Sequence, residues 1–95
     1  MKQVLQIDPE FKRLSVPLSA EEERRLEKSL MREGCKDPIV VWNGCILDGH
    51  KRYEVCSYEE IEYETVRMDF ATREGAIIWV CKKRMETLTP DGVMY

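Results

Sequence analysis

The chain has 95 residues, 43% of them hydrophobic and 35% charged, with a formal net charge of -3. That suits one small soluble domain with a modest core, and no apolar run approaches the roughly 20 residues that span a bilayer. Net negative charge argues against the chain gripping DNA by itself, because sequence-independent DNA affinity comes from Lys and Arg on phosphates.

Val4-Leu5-Gln6-Ile7 reads as a short strand, stopped by Asp8-Pro9 and followed by a loop to Leu18. Ser19-Ala20-Glu21-Glu22 is a capping box, with a hydroxyl at the cap and a carboxylate three residues on. It predicts a helix to about Glu33, with Leu26 and Leu30 on one face and Gly34 as its stop. Glu21 and Arg25 have the spacing of a solvated helix ion pair.

Pro38-Ile39-Val40-Val41-Trp42 is β-branched and aromatic, which predicts a strand. Asn43-Gly44 is a hairpin signal, because both residues tolerate positive φ. Cys45-Ile46-Leu47 then returns as the second strand, and Asp48-Gly49 turns the chain into a helix from about His50 to Tyr58. Val66, Met68 and Phe70 alternate with Arg67 and Asp69 as a further strand. Thr72 caps a last helix, apolar through Ala76-Ile77-Ile78-Trp79-Val80-Cys81 and basic at Lys82-Lys83-Arg84. Those three cations are expected to face water, the alternative being that they add positive charge near a phosphate site, and Thr89-Pro90-Asp91-Gly92 is expected to end the order. Trp42, Trp79 and Tyr53 read as core. The sum is an α+β domain: a mixed sheet with a β-hairpin, packed against about three helices.

Of the four cysteines, Cys35, Cys45, Cys56 and Cys81, no two form a CxxC pair, and the single histidine is His50. Structural zinc takes closely spaced Cys and His pairs, so no metal site is expected. No long apolar signal region follows Met1. The thiols therefore read as reduced, mostly buried side chains of a cytoplasmic protein.

Chemistry concentrates in Ile46-Leu47-Asp48-Gly49-His50-Lys51-Arg52. Cations in the first turn of a helix face the positive pole of the peptide dipoles. An anion resolves the conflict: free backbone N–H groups at a helix start bind phosphate. Gly49 would let a ligand approach the backbone, and Lys51 and Arg52 would add charge-assisted bonds. His50 titrates near neutral pH and would hold phosphate better when protonated. Asp48 is expected to cap the helix, or to help orient a metal-bound nucleotide. The other reading is a turn into a helix whose basic residues point into solvent; spacing alone leaves both open.

Leu26-x-x-Ser29-Leu30-x-x-x-Gly34-x-x-x-Pro38-Ile39-Val40-Val41, followed by Ile46-Leu47-Asp48-Gly49-His50-Lys51-Arg52-Tyr53, resembles the N-terminal domain of ParB-like partition proteins. The resemblance continues through Val66 and the stretch Thr72 to Trp79, and covers about Ile7 to Pro90. It implies a nucleotide-binding switch, with CTP or ATP and Mg²⁺, in a DNA partition or gene-regulatory system. Gly49, His50, Lys51 and Arg52 would contact phosphates, with Ser29 and Asp48 as further nucleotide contacts. It also implies homodimerisation, and DNA contacts only through parts not in this chain. Residues 1–95 would be a single ParB-like domain with no helix-turn-helix.

Two departures bear on the reading. Sulfiredoxins, in the same superfamily, carry a catalytic cysteine where His50 stands, so their chemistry is not expected. ParB-like chains also carry a later segment reading like ENQxxR, where this one reads Cys81-Lys82-Lys83-Arg84-Met85-Glu86. The catalytic residues are therefore unassigned. The alternatives are a ligand-free protein-interaction module, or a ParB-like nuclease, which would need an acidic metal cluster not recognised here.

Overall fold

Asp8-Pro9 begins a helix instead of ending a strand. In the computed structural model, which describes residues 4–15 and 17–88, α1 spans Pro9–Leu14. Asp8 caps it, its carboxylate accepting from the Glu10 and Phe11 backbone N–H groups. Pro at the first helical position loses nothing, since that N–H has no partner in a helix. The loop expected there is thus a short helix, and the described residues hold four helices, not three.

α2 (Ala20–Glu33) has the expected capping box, Ser19 and Glu22 bonding each other's backbone, and stops at Gly34 with φ 81°. Glu21 and Arg25 form the expected exposed pair, 3.7 Å apart. β1 (Ile39–Trp42) and β2 (Cys45–Asp48) pair antiparallel around Asn43 and Gly44, whose φ values are 52° and 78°. α3 (His50–Glu59) follows. β3 (Thr65–Arg67) lies parallel to β1, giving a mixed sheet in the order β2-β1-β3. α4 (Arg73–Leu88) follows Thr72, whose hydroxyl accepts from the Gly75 N–H at 3.2 Å.

Two expected strands are shorter than their patterns. Of residues 4 to 7, only Gln6 bridges, receiving the Ile46 N–H at 3.0 Å and donating to the Gly44 carbonyl at 2.9 Å. β3 ends at Arg67 because Phe70 turns away to pack on Trp42 and Trp79, with ring centroids 6.3 and 6.5 Å apart. The stop expected at Thr89 to Gly92 lies outside the described residues.

The core has three neighbouring clusters. Phe11, Leu47, Ala76 and Val80 join α1, β2 and α4, with Trp42 and Trp79 packed against them. Phe11 is fully buried, worth about 1.5–3 kcal/mol, and its burial makes so short a helix hold. Leu30, Val55 and Cys56 join α2 to α3. Ile39, Val41 and Ile46 lie on one face of the hairpin, covered by Tyr53 and Tyr63. No helix of the described residues is long and apolar enough to cross a membrane.

Candidate functional site

β2 delivers the chain to Gly49, and α3 begins at once. Gly49 is the N-cap with φ 102° and ψ 24°, a left-handed conformation that side chains resist. No side chain caps this helix. Its first intrahelical bond is Tyr53 N–H to the Gly49 carbonyl, at 2.8 Å. The N–H groups of the first turn precede that bond and are the groups an anion recruits.

Asp48 does not cap α3. The left-handed glycine stands between it and the helix, and its carboxylate instead lies 3.6 Å from Arg52. Arg52 also donates to the Pro38 carbonyl at 3.0 Å, so it fastens α3 to the start of β1. Its Nε is buried without a partner. Lys51 meets Glu54 at 3.0 Å and Glu23 of α2 at 3.5 Å. The Glu54 hydrogen bond chiefly raises its pKa, so Lys51 is a cation at any physiological pH.

The His50 ring is turned inward. Its Nδ1 lies 3.2 Å from the Ser15 hydroxyl, which donates to the Phe11 carbonyl at 3.0 Å. Its Nε2 is buried without a hydrogen-bond partner. Burial, and then the nearby Lys12 charge, push its pKa below 6.5, against weaker opposing effects of Asp48, the Ile46 carbonyl and Asp8. The imidazole is therefore neutral at pH 7.

These residues border a cleft of about 290 Å³. Gly49, Lys51 and Arg52 form one wall, Glu22 and Leu26 of α2 a second, and Lys83 and Arg84 of α4 a third. Lys82 is exposed, as expected, but Lys83 and Arg84 do not simply face water. Val80 is anchored in the core, and positions three and four residues on share its face of the helix. That spacing was visible in the sequence. Ser29 is half-buried one turn beyond Leu26 and does not line the cleft. Ser15 and Leu18 do, although nothing in their local pattern marked them. A second cleft adjoins at Ser15, His50, Lys51 and Arg84 and extends to Lys12 and Arg13.

The cleft lining carries Lys51, Arg52, Lys83 and Arg84 against two carboxylates, Glu22 and Asp48, with His50 neutral. It is a positive spot on a chain of net charge -3. No group of three or more His, Cys, Asp or Glu side chains able to hold a metal ion occurs among the described residues. Comparison with family models, with curated proteins and with solved structures finds no match to the chain.

Proposed function

We propose that the chain is a nucleotide-binding switch domain of the ParB-like kind, holding the phosphates of CTP or ATP at the start of α3. The observation that carries this reading is the uncapped α3 terminus opening on a cleft with a surplus of cations. Backbone N–H groups at Gly49, His50, Lys51 and Arg52 would take the phosphate oxygens. Lys51 and Arg84 would supply charge from opposite walls. Mg²⁺ would be held mainly by the phosphates themselves and by water. Ligand drawn between α3 and α4 would order the two walls against each other, which is how phosphate contacts operate a switch.

A ligand-free interaction module is the second reading. It is favoured by Lys51 and Arg52 already meeting carboxylates of the chain itself.

Thermal unfolding with CTP, ATP and GTP, each with and without Mg²⁺, tests both. A ligand bound only by the native state at 100 times its Kd adds about 2.7 kcal/mol, several degrees for a domain of this size. A rise in Tm with one nucleotide supports the switch. No rise with any supports the interaction module.

A further inference from the structure

The second cleft adjoins the first but is lined differently. Its volume is about 400 Å³. The first cleft has Leu18, Leu26, Leu47 and Val80 in its walls, apolar surface of the kind that a base and sugar cover. In the second, Pro17 and Leu18 are the apolar lining among the described residues, and the rest is polar or charged. His50, Lys51 and Arg84 line both, so the start of α3 stands between the two.

Lys12 and Arg13, in the last turn of α1, line this cleft and not the first. Both are exposed, and no described residue forms an ion pair with either. The two carboxylates of the cleft, Glu23 and Glu54, are already met by Lys51 at 3.5 and 3.0 Å. Lys12 and Arg13 are therefore a surplus of two positive charges beside the start of α3.

We propose that the second cleft is a subsite for a phosphate on the ribose, and that the ligand is a nucleoside bisphosphate, phosphorylated on both its 5′ and 3′ oxygens. This rests on the nucleotide reading of the first cleft. There, Lys51, Arg52, Lys83 and Arg84 supply four cations for a 5′ phosphate chain. Lys12 and Arg13 are additional to those four. Together they match one phosphomonoester, which carries about -1.5 to -2 at pH 7. Arg13 can grip it with two parallel bonds, and Lys12 adds a point charge. A plain ribose hydroxyl is uncharged and draws little from either. The subsite would therefore distinguish nucleotides by phosphorylation of the sugar, while the first cleft distinguishes them by base.

The test is a competition titration on the 95-residue chain, displacing the nucleoside triphosphate that binds best. The competitors share its base: the 5′-monophosphate, the 5′-diphosphate and the 3′,5′-bisphosphate. The last two are isomers with the same number of phosphates in different places. The bisphosphate should compete about tenfold better than the monophosphate, and less so at high salt, because exposed charges are screened. Lys12→Ala/Arg13→Ala should remove that gain and leave the 5′-diphosphate unchanged. Both side chains are exposed, so the variant should keep its unfolding midpoint. Arg24→Ala/Lys28→Ala removes the same charge from residues that line neither cleft, and should keep the gain. A bisphosphate no better than the monophosphate overturns the proposal and leaves the nucleotide reading standing. So does a gain lost equally in the Arg24/Lys28 variant, which would make it long-range charge. Equal weakening of the 5′-diphosphate in the Lys12/Arg13 variant gives the cleft to the phosphate chain, and overturns the proposal too. A chain that binds no nucleoside triphosphate and no bisphosphate overturns both readings.

Discussion

The Arg52 guanidinium packs against the bare Cα of Gly49: a Cβ there would lie 2.9 Å from Nη2 and 3.3 Å from Cζ. Gly49 is thus required twice, once for its φ of 102° and once for space. Arg52, held on Pro38 and Asp48, is a strut of the site more than a free phosphate ligand.

Gly49→Ala should therefore destabilise by about 1–2 kcal/mol from conformation alone, and by more from displacing Arg52. Arg52→Ala should cost about 1.5–3 kcal/mol, the range for a lost hydrogen bond to a charged group. The two effects should be less than additive, because removing the guanidinium clears most of the space that the new Cβ needs. Denaturant unfolding of both single variants and the double variant measures this. Strict additivity would mean that the contact carries no energy.

Charge on the opposite wall gives a second prediction. Lys51 shares its charge with Glu23 and Glu54, whereas no described residue forms an ion pair with Arg84. Arg84→Ala should lower affinity for a nucleotide triphosphate about tenfold, or about 1.4 kcal/mol, and Lys51→Ala less. Both variants should keep their unfolding midpoint, since surface substitutions of this kind stay within about 0.5 kcal/mol. Titration calorimetry at two salt concentrations would check it. An Arg84→Ala chain that binds as tightly as wild type removes α4 from the site.

The glycine turn, the hairpin, and both of the longer helix starts were legible because each depends on neighbouring residues. Ser19 needs only Glu22, and Asn43 needs only Gly44. Asp8-Pro9 misled for the same reason. As a pair it fits a strand stop or a helix start equally, and the choice is made by Phe11, whose burial against Leu47 and Val80 is a long-range fact. Asp48 was misjudged by one position. The left-handed glycine occupies the cap, and no residue type announces that shift. His50 read as a phosphate contact that titrates near neutral pH, because nothing near it in sequence could foretell Ser15 beside its inward-turned ring. The cleft itself draws on four separate segments, and only the one at Gly49 carries a local signature.

The His50 environment makes a pH prediction. Its pKa lies below 6.5 in the folded chain and returns to 6.5 on unfolding. In the window between, the unfolded state binds more protons, so stability falls as pH is lowered. The contribution is fully present above 6.5 and is lost as pH drops through the folded value. His50→Asn, which keeps a polar group beside Ser15, should flatten stability across this window, measured as urea midpoints from about pH 5 to 7.5. Phosphate affinity should show no His50-dependent change between pH 7 and 7.5, where the ring is already neutral. An unchanged urea profile in the variant would place the titrating group elsewhere.

The last prediction concerns the latch that holds two cleft-lining elements together. Arg73, at the start of α4, donates to Asp8 at 2.7 Å and to Glu10 at 2.9 Å, and its guanidinium lies 4.5 Å from the Phe11 ring centre. α1 leads to Ser15 and α4 carries Arg84, so this latch sets the spacing of residues that meet in the cleft. Asp8→Ala removes both the latch and the α1 cap, and the cap alone is worth about 1 kcal/mol. Asp8→Asn separates the two roles, because the amide oxygen still caps but no longer offers Arg73 a charge. The Arg73 hydrogen bond is the largest effect on the Asp8 pKa and, with the two backbone N–H bonds, holds it below 3.8. That stabilisation is therefore present above pH 3.8 and is lost as pH falls through the folded value. Acid unfolding should be less steep in Asp8→Asn than in wild type, with stability at pH 7 reduced less than in Asp8→Ala. Equal losses in the two variants at pH 7 would assign the stabilisation to charge on Arg73, and identical acid limbs in Asp8→Asn and wild type would assign it to the cap alone.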